Sequence, residues 1–256
     1  MPDISAPNLA ARPLAGRYAL VTGATRGIGQ ATALALAEAG AHVIAIGRTS
    51  GALEELDDAI LQRGSTATLV PLDLTDSAAI DRLGGAIYER FGRLDIFIGN
   101  AGVLGPMTPL AQVEPKEWDD ALAVNLTANW RLVRSLDPLL RVSTAGRAVL
   151  VSSGAAHKAR AFWGTYAVTK AGLEMLARTW ANEVANISNL RVNLLNPGPT
   201  RTRMRAKAFP GEDPDTLPVP EDIAAAIVGL CLPEFDETGK LYDFPTRSLK
   251  AFPVPA

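Results

Sequence analysis

Arg17-Tyr18-Ala19-Leu20-Val21-Thr22-Gly23-Ala24-Thr25-Arg26-Gly27-Ile28-Gly29 is the stretch that decides the fold. Its first six residues form a short buried-strand pattern. The run from Gly29 to Ala39, stopped by Gly40, has the length and ending of a helix. Three glycines lie between. Glycine lets the backbone come close to a ligand, and the first N–H groups of a helix have no partner within it. Strand, glycine-rich turn and helix N-terminus together form an anion site, which in a βαβ unit suits the pyrophosphate of a dinucleotide. An ordinary tight strand–helix turn is the competing reading.

The pattern repeats along the chain. Strand-like runs at 42–46, 66–72, 94–98, 147–152, 190–196 and 240–244 alternate with helix-like runs at 51–63, 78–91, 115–136, 164–186 and 221–232. That alternation predicts an α/β, doubly wound (Rossmann-type), mostly parallel sheet of seven strands with helices on both faces. One domain is expected over 16–244, with a loose lead-in at 1–15 and a loosely held, Pro-rich tail at 245–256.

Composition narrows the classes. The chain has 256 residues, 48% hydrophobic and 20% charged, as a globular protein with a sizeable core should. A net charge of -2 gives no electrostatic reason to expect nucleic acid or an anionic membrane surface. The start lacks the basic and apolar regions of a signal peptide. The longest uncharged run, Ile96 to Val113, is broken by Gly99, Gly102, Gly105, Pro106 and Pro109 and reads as strand end and loop. A cytoplasmic protein is expected. Cys231, the single cysteine, sits in an apolar stretch and reads as an inert buried thiol. With two histidines and one cysteine, no metal site is expected.

Beyond the turn, chemistry-bearing residues fall at informative places. Arg48 and Thr49 follow the second strand where dinucleotide folds often carry an acid for the ribose hydroxyls. An arginine there accommodates the 2′-phosphate of NADP, and Arg26 inside the turn could share it. NADP is therefore expected over NAD, although both guanidiniums could be solvated surface charge. Asp73 and Leu74 end the third strand, where a carboxylate could accept from the adenine amino group; helix capping is the rival role for this acidic stretch. Asn100-Ala101-Gly102 ends the fourth strand. Asn125 lies among apolar residues, as a structural hydrogen bonder or part of a proton path. Tyr166 and Lys170 stand one helical turn apart, with Ser153 upstream at a strand end. An ammonium beside a phenol favours the phenolate, and a serine could bond a carbonyl oxygen that the phenol also reaches. Alone, Tyr and Lys at this spacing decorate many ordinary helices.

Taken together these motifs resemble the short-chain dehydrogenase/reductase family, of the compact single-domain kind, over about residues 15 to 244. Thr22-Gly23-x-x-x-Gly27-x-Gly29 resembles its cofactor turn, Asn100-Ala101-Gly102 its Asn-Ala-Gly, and Asn125, Ser153, Tyr166 and Lys170 its catalytic tetrad. The stretch Arg201 to Pro214 and the tail resemble a little-characterised bacterial branch of it. The resemblance implies cofactor contacts from Gly23, Thr25, Arg26, Gly27, Ile28, Gly29, Arg48, Thr49, Asp73, Leu74 and Asn100 to Gly102. At the nicotinamide end it implies Tyr166, Lys170, Pro197, Gly198, Thr200 and Thr202. Tyr166 would be the general acid or base, Lys170 would hold the ribose and lower the Tyr166 pKa, Ser153 would polarise a carbonyl, and Asn125 would hold a water leading to Lys170. The implied activity is hydride transfer between nicotinamide and a carbonyl or secondary alcohol. A non-catalytic NADP-binding sensor or scaffold is the alternative on the same fold. A homodimer through the helices bearing Asn125 and Tyr166 is expected, or a homotetramer. The sequence departs from the pattern at Gly99, where an asparagine is usual, and at Tyr242-Asp243-Phe244-Pro245, where Asp-Gly-Gly usually follows the last strand.

For the substrate, Ser153, Leu104, Trp163 and Pro199 are the candidates, with Phe162, Met204 and Phe209 nearby; apart from Ser153, each could equally be core. His157 and Arg160 could meet substrate or solvent. Arg201, Arg203, Arg205 and Lys207 form a basic segment, either a solvated flap or a seat for an anion.

Overall fold

The computed structural model describes residues 8–252, so residues 1–7 of the expected lead-in and 253–256 of the expected tail lie outside the described residues. The sheet is built from β1 (Tyr18–Thr22), β2 (His42–Gly47), β3 (Ala67–Pro71), β4 (Ile96–Gly99), β5 (Arg147–Val151), β6 (Arg191–Asn196), β7 (Leu241–Asp243) and β8 (Ser248–Lys250). Their order is β3-β2-β1-β4-β5-β6-β7-β8. The first seven run parallel. The order reverses between β1 and β4, which opens a crevice at the carboxyl ends of the strands.

The strand count corrects the sequence expectation: there are eight, not seven. After β7 the chain turns through Phe244–Thr246, and Arg247 takes a left-handed φ of 50°. Ser248–Lys250 then pairs antiparallel with β7. Asp243 fastens the turn by accepting from Thr246 Oγ1 at 2.7 Å and Lys250 Nζ at 2.5 Å. Three-residue strands are too short to show a period, so this one was invisible in a stretch that looked like tail.

The helices are α1 (Gly27–Glu38), α2 (Ser50–Leu61), α3 (Ser77–Phe91), α4 (Pro115–Leu122), α5 (Ala128–Val142), α6 (Gly164–Val184), α7 (Arg203–Ala208) and α8 (Pro220–Cys231). One core layer joins α1, α2 and α8 to a sheet face through residues such as Leu36, Leu56 and Ile227. The other joins α3, α5 and α6 to the opposite face through Ile80, Leu132, Leu136 and Leu173. Sequence punctuation shows in the boundaries. Asp76 caps α3, accepting from Ala79 N at 2.9 Å, and Gly92 ends it at φ 74°.

The single helix expected over 115–136 is two helices joined by a π-turn at Ala123–Thr127, and the second runs on to Val142 with Pro138 inside it. The wider turn carries Asn125. Cys231 is fully buried, and burial pushes its thiol up to about 12. No helix among the described residues is long and apolar enough to cross a membrane.

Candidate active site

The crevice has one wall at β1. Gly23 and Gly27 hold left-handed φ of 64° and 53°. A Cβ on Gly29 would collide with the Gly23 carbonyl and the Asn100 side chain, so only glycine lets α1 begin this close to the strand. Thr22 Oγ1 accepts from the main-chain N–H of Asn100 and of Ala101, both at 3.0 Å, while Asn100 Nδ2 donates to Thr22 O at 2.9 Å. The Asn-Ala-Gly segment at the end of β4 thereby clamps the glycine turn. Room for a Cβ on Gly47 is taken by the Thr25 methyl, so the turn leans on the end of β2. Arg26 and Arg48 are exposed, and neither forms an ion pair with another described residue. Asp73 accepts from Thr75 N and Oγ1, which hold its carboxyl below the usual range, and Arg48 adds to that effect. A cradle that excludes side chains, with two unpaired guanidiniums beside it, fits a phosphorylated dinucleotide.

The opposite wall is α6 against the end of β5. Tyr166 is 8% exposed and Lys170 is 4% exposed. Lys170 Nζ donates to Val151 O at 2.8 Å and lies 5.7 Å from the centre of the Tyr166 ring. Ser153 accepts from Ala155 N at 3.2 Å. Burial pushes the Tyr166 phenol up to about 12, with the Ser153 hydroxyl pulling the other way. Burial also pushes Lys170 down to about 8, while the Glu174 charge raises it. Burial thus opposes the easing toward phenolate that the lysine was expected to give. The Lys170 ammonium donates to the Val151 carbonyl, and desolvation is the largest influence on the phenol.

Asn125 is fully buried in the π-turn. Its amide donates to Val103 O at 2.9 Å and Thr169 Oγ1 at 3.0 Å and accepts from Val103 N at 2.8 Å. It thus ties the loop after β4 to α6, and its remaining capacity is as an acceptor. The unusual Gly99 also finds its reason here. A Cβ there would lie 2.8 Å from the Asn129 side chain, which donates to Asn125 O at 2.9 Å. Gly102 brings its backbone close to the same group, since a Cβ there would stand 3.7 Å from Lys170 Nζ.

The segment after β6 closes the crevice. Gly198, at φ 66°, donates its N–H to Asn196 Oδ1, and Asn196 donates to Asp243 at 2.7 Å. Thr200 is buried, its hydroxyl directed at the carbonyls of Pro197 and Gly198. Thr202 caps α7, and its methyl group borders Gly27, which joins the two ends of the site. Of the substrate candidates, Trp163 stacks edge-on to Tyr166 with ring centres 6.1 Å apart, Leu104 is buried and Pro199 is exposed. Trp163 also meets Phe209, and the Arg160 and Arg205 guanidiniums lie over the Phe209 ring. Half of the basic segment is neutralised internally, Arg205 by Glu212 at 2.5 Å and Arg201 by Asp215 at 3.2 Å.

One group escaped the sequence reading. Glu174, one turn beyond Lys170, is buried and accepts from Ser152 Oγ at 2.5 Å; His157 Nε2 lies 2.9 Å from its other oxygen. Its spacing from Lys170 was the available signal.

Similarity to known proteins extends over most of the chain. The family model described as short chain dehydrogenase matches residues 17–213. An oxidoreductase named YciK from Escherichia coli K12 is 40% identical over 210 residues, covering 81% of this chain and 82% of the relative. An NAD-dependent oxidoreductase of Mycobacterium tuberculosis is 36% identical over 205 residues, covering 75% of this chain and 74% of its own. Among solved structures, a short chain dehydrogenase from Escherichia coli CFT073 complexed with NADPH superposes with a TM-score of 0.87 at 38% identity, covering 91% of this chain and 98% of the other.

Proposed function

Because the chain belongs to the short-chain dehydrogenase family, we propose that it is an NADP(H)-dependent oxidoreductase that interconverts a carbonyl and a secondary alcohol, with Tyr166 as the proton donor. The observation that carries the reading is convergence: Tyr166, Ser153 and Lys170 stand on one wall of the crevice whose other wall is the glycine cradle. The chemistry supplied by the bound cofactor is hydride delivery from the nicotinamide to the carbonyl carbon.

The chain's own residues do the rest. The main-chain amides at the start of α1 take the pyrophosphate, and Arg26 and Arg48 take the 2′-phosphate. The NADPH complex of the Escherichia coli CFT073 protein supports that choice, and the NAD-dependent mycobacterial relative marks the rival. Lys170 holds the nicotinamide ribose hydroxyls, and Thr200 and Thr202 border the nicotinamide end. Ser153 donates to the substrate oxygen and polarises the carbonyl, and the Tyr166 phenol supplies the proton that the oxygen takes up as hydride reaches the carbon. Trp163 and Phe209 form an apolar side that excludes water from the transfer.

The test is NADPH oxidation across ketones, aldehydes and keto acids, run beside Tyr166→Phe. Turnover in the wild type and its loss in the variant are expected. NADPH binding without turnover on any class would favour the sensor or scaffold reading instead.

We also propose a homodimer through α5 and α6. Trp130 on α5 and Val168 and Met175 on α6 are exposed at 43%, 46% and 57%, more apolar surface than a free helix face needs. Light scattering at micromolar concentration decides it, with twice the 27.0 kDa chain mass expected.

A further inference from the structure

Three consecutive residues at the end of β5 engage three residues spaced by four on α6. Ser153 meets Tyr166, Val151 O accepts from Lys170 Nζ, and Ser152 Oγ donates to Glu174. The first two belong to the proton chemistry described above. The third has no part in it, yet it places a carboxylate, with its side chain only 6% exposed, one helical turn from a buried lysine.

A carboxylate is a costly choice if the task is only to accept a hydrogen bond from Ser152. Burying one costs several kcal/mol unless an opposite charge answers it, and a glutamine could accept the same bond. The groups around Glu174 are few. On its own helix stand Lys170 and Arg178. From the turn after β5 come Ser152 and His157, and from the end of the chain Phe252. Arg178 stacks on the Phe252 ring at 4.2 Å, and the His157 ring centre lies 6.2 Å from that of Phe252, so both roof the cleft beside Glu174. Around Lys170 the titratable neighbours are Tyr166 and Glu174; the loop after β4 and the π-turn present Gly102 and Asn125, which carry no charge. Among the described residues, Glu174 is the anion that offsets the burial of the lysine.

We propose that Glu174 is a positioning residue for Lys170: its carboxylate, locked by Ser152 and His157, keeps the lysine charged at the place where Val151 O holds it. The proposal rests on the reading of Lys170 as the group that holds the nicotinamide ribose. Desolvation alone pulls that ammonium down, and Glu174 works against it.

Glu174→Gln tests this, because it preserves shape and hydrogen-bonding capacity while removing the charge. NADPH affinity, followed by fluorescence titration of the full chain from pH 6 to 10, reads Lys170 without needing turnover; kcat on the best carbonyl is measured alongside. In the wild type, affinity should fall as pH rises through about 8, where Lys170 loses its proton. In Glu174→Gln the break should move about one pH unit lower, the small end of the range for an opposite charge at close quarters. The variant should match the wild type at pH 6 and bind up to about tenfold more weakly at alkaline pH. Glu174→Asp should restore the wild-type break. If Glu174→Gln folds normally and its break does not move, Glu174 is a structural latch and the proposal is overturned. Lys170→Met separates the premise: its affinity should show no break, and a persisting one would defeat the reading of Lys170 itself. If Glu174→Gln does not fold, Glu174→Met, apolar and of similar volume, is read in the same way.

Discussion

At the β1 end of the crevice the chain offers main-chain amides beside Gly23, Gly27 and Gly29, with Arg26 and Arg48 exposed around them; at the β5 end it offers the buried side chains of Tyr166, Lys170 and Glu174. The first wall works by what is missing. Without Cβ atoms the backbone can meet a ligand, and charge is added from solvent-exposed arginines whose effects are graded. The second wall works by what is enclosed. Desolvation pushes the phenol up to about 12 and the lysine down to about 8, so each residue's state depends on its buried neighbours. Changes at the glycine wall should therefore alter binding at every pH, whereas on the side-chain wall a change at Tyr166 should alter proton transfer and changes at Lys170 or Glu174 should alter the pH dependence of binding.

The sharpest way to break that contrast is Tyr166→Phe. Loss of the proton donor should lower kcat by about 10³-fold, within the usual range for general acid–base groups. NADPH affinity by fluorescence titration should stay nearly unchanged; if it fell as far as turnover, the two walls would not be separable. Gly29→Val should do the opposite. Its side chain falls on the Gly23 carbonyl and Asn100, so thermal unfolding should show a loss of about 2 kcal/mol, and added NADPH should give little stabilisation. Arg48→Ala tests the graded part. NADPH Kd should rise about tenfold, as losing one charge-assisted bond implies, while NADH affinity stays put. The smallest effect is expected at Lys250→Ala. Its bond to Asp243 is half exposed, so the loss should stay below about 1 kcal/mol, and turnover should hold. A large fall in turnover there would mean that β8, through Asp243, Asn196 and Gly198, belongs to the chemistry.

The two walls also differ in how far they could be read in advance. The glycine turn was legible because only glycine serves at Gly29, and an enforced residue type leaves a mark in sequence. Tyr166 and Lys170 were legible as a pair at helical spacing, but the direction of the phenol's shift was not, since it depends on how much of α6 is covered. The same limit hid Glu174, the junction of α4 and α5 around Asn125, and the exchange at Gly99, whose space is filled by Asn129 from thirty residues on. β8 was missed because a three-residue strand depends on its partner rather than its own pattern.

Periodicity and punctuation in the chain were enough to determine a doubly wound sheet, a strand–helix turn that only glycine can make, and a Tyr–Lys pair one helical turn apart. Tertiary structure alone decided how deeply those residues are buried and added the extra antiparallel edge. Both depend on desolvation and pairing between segments far apart in the chain, and neither quantity exists until the layers pack.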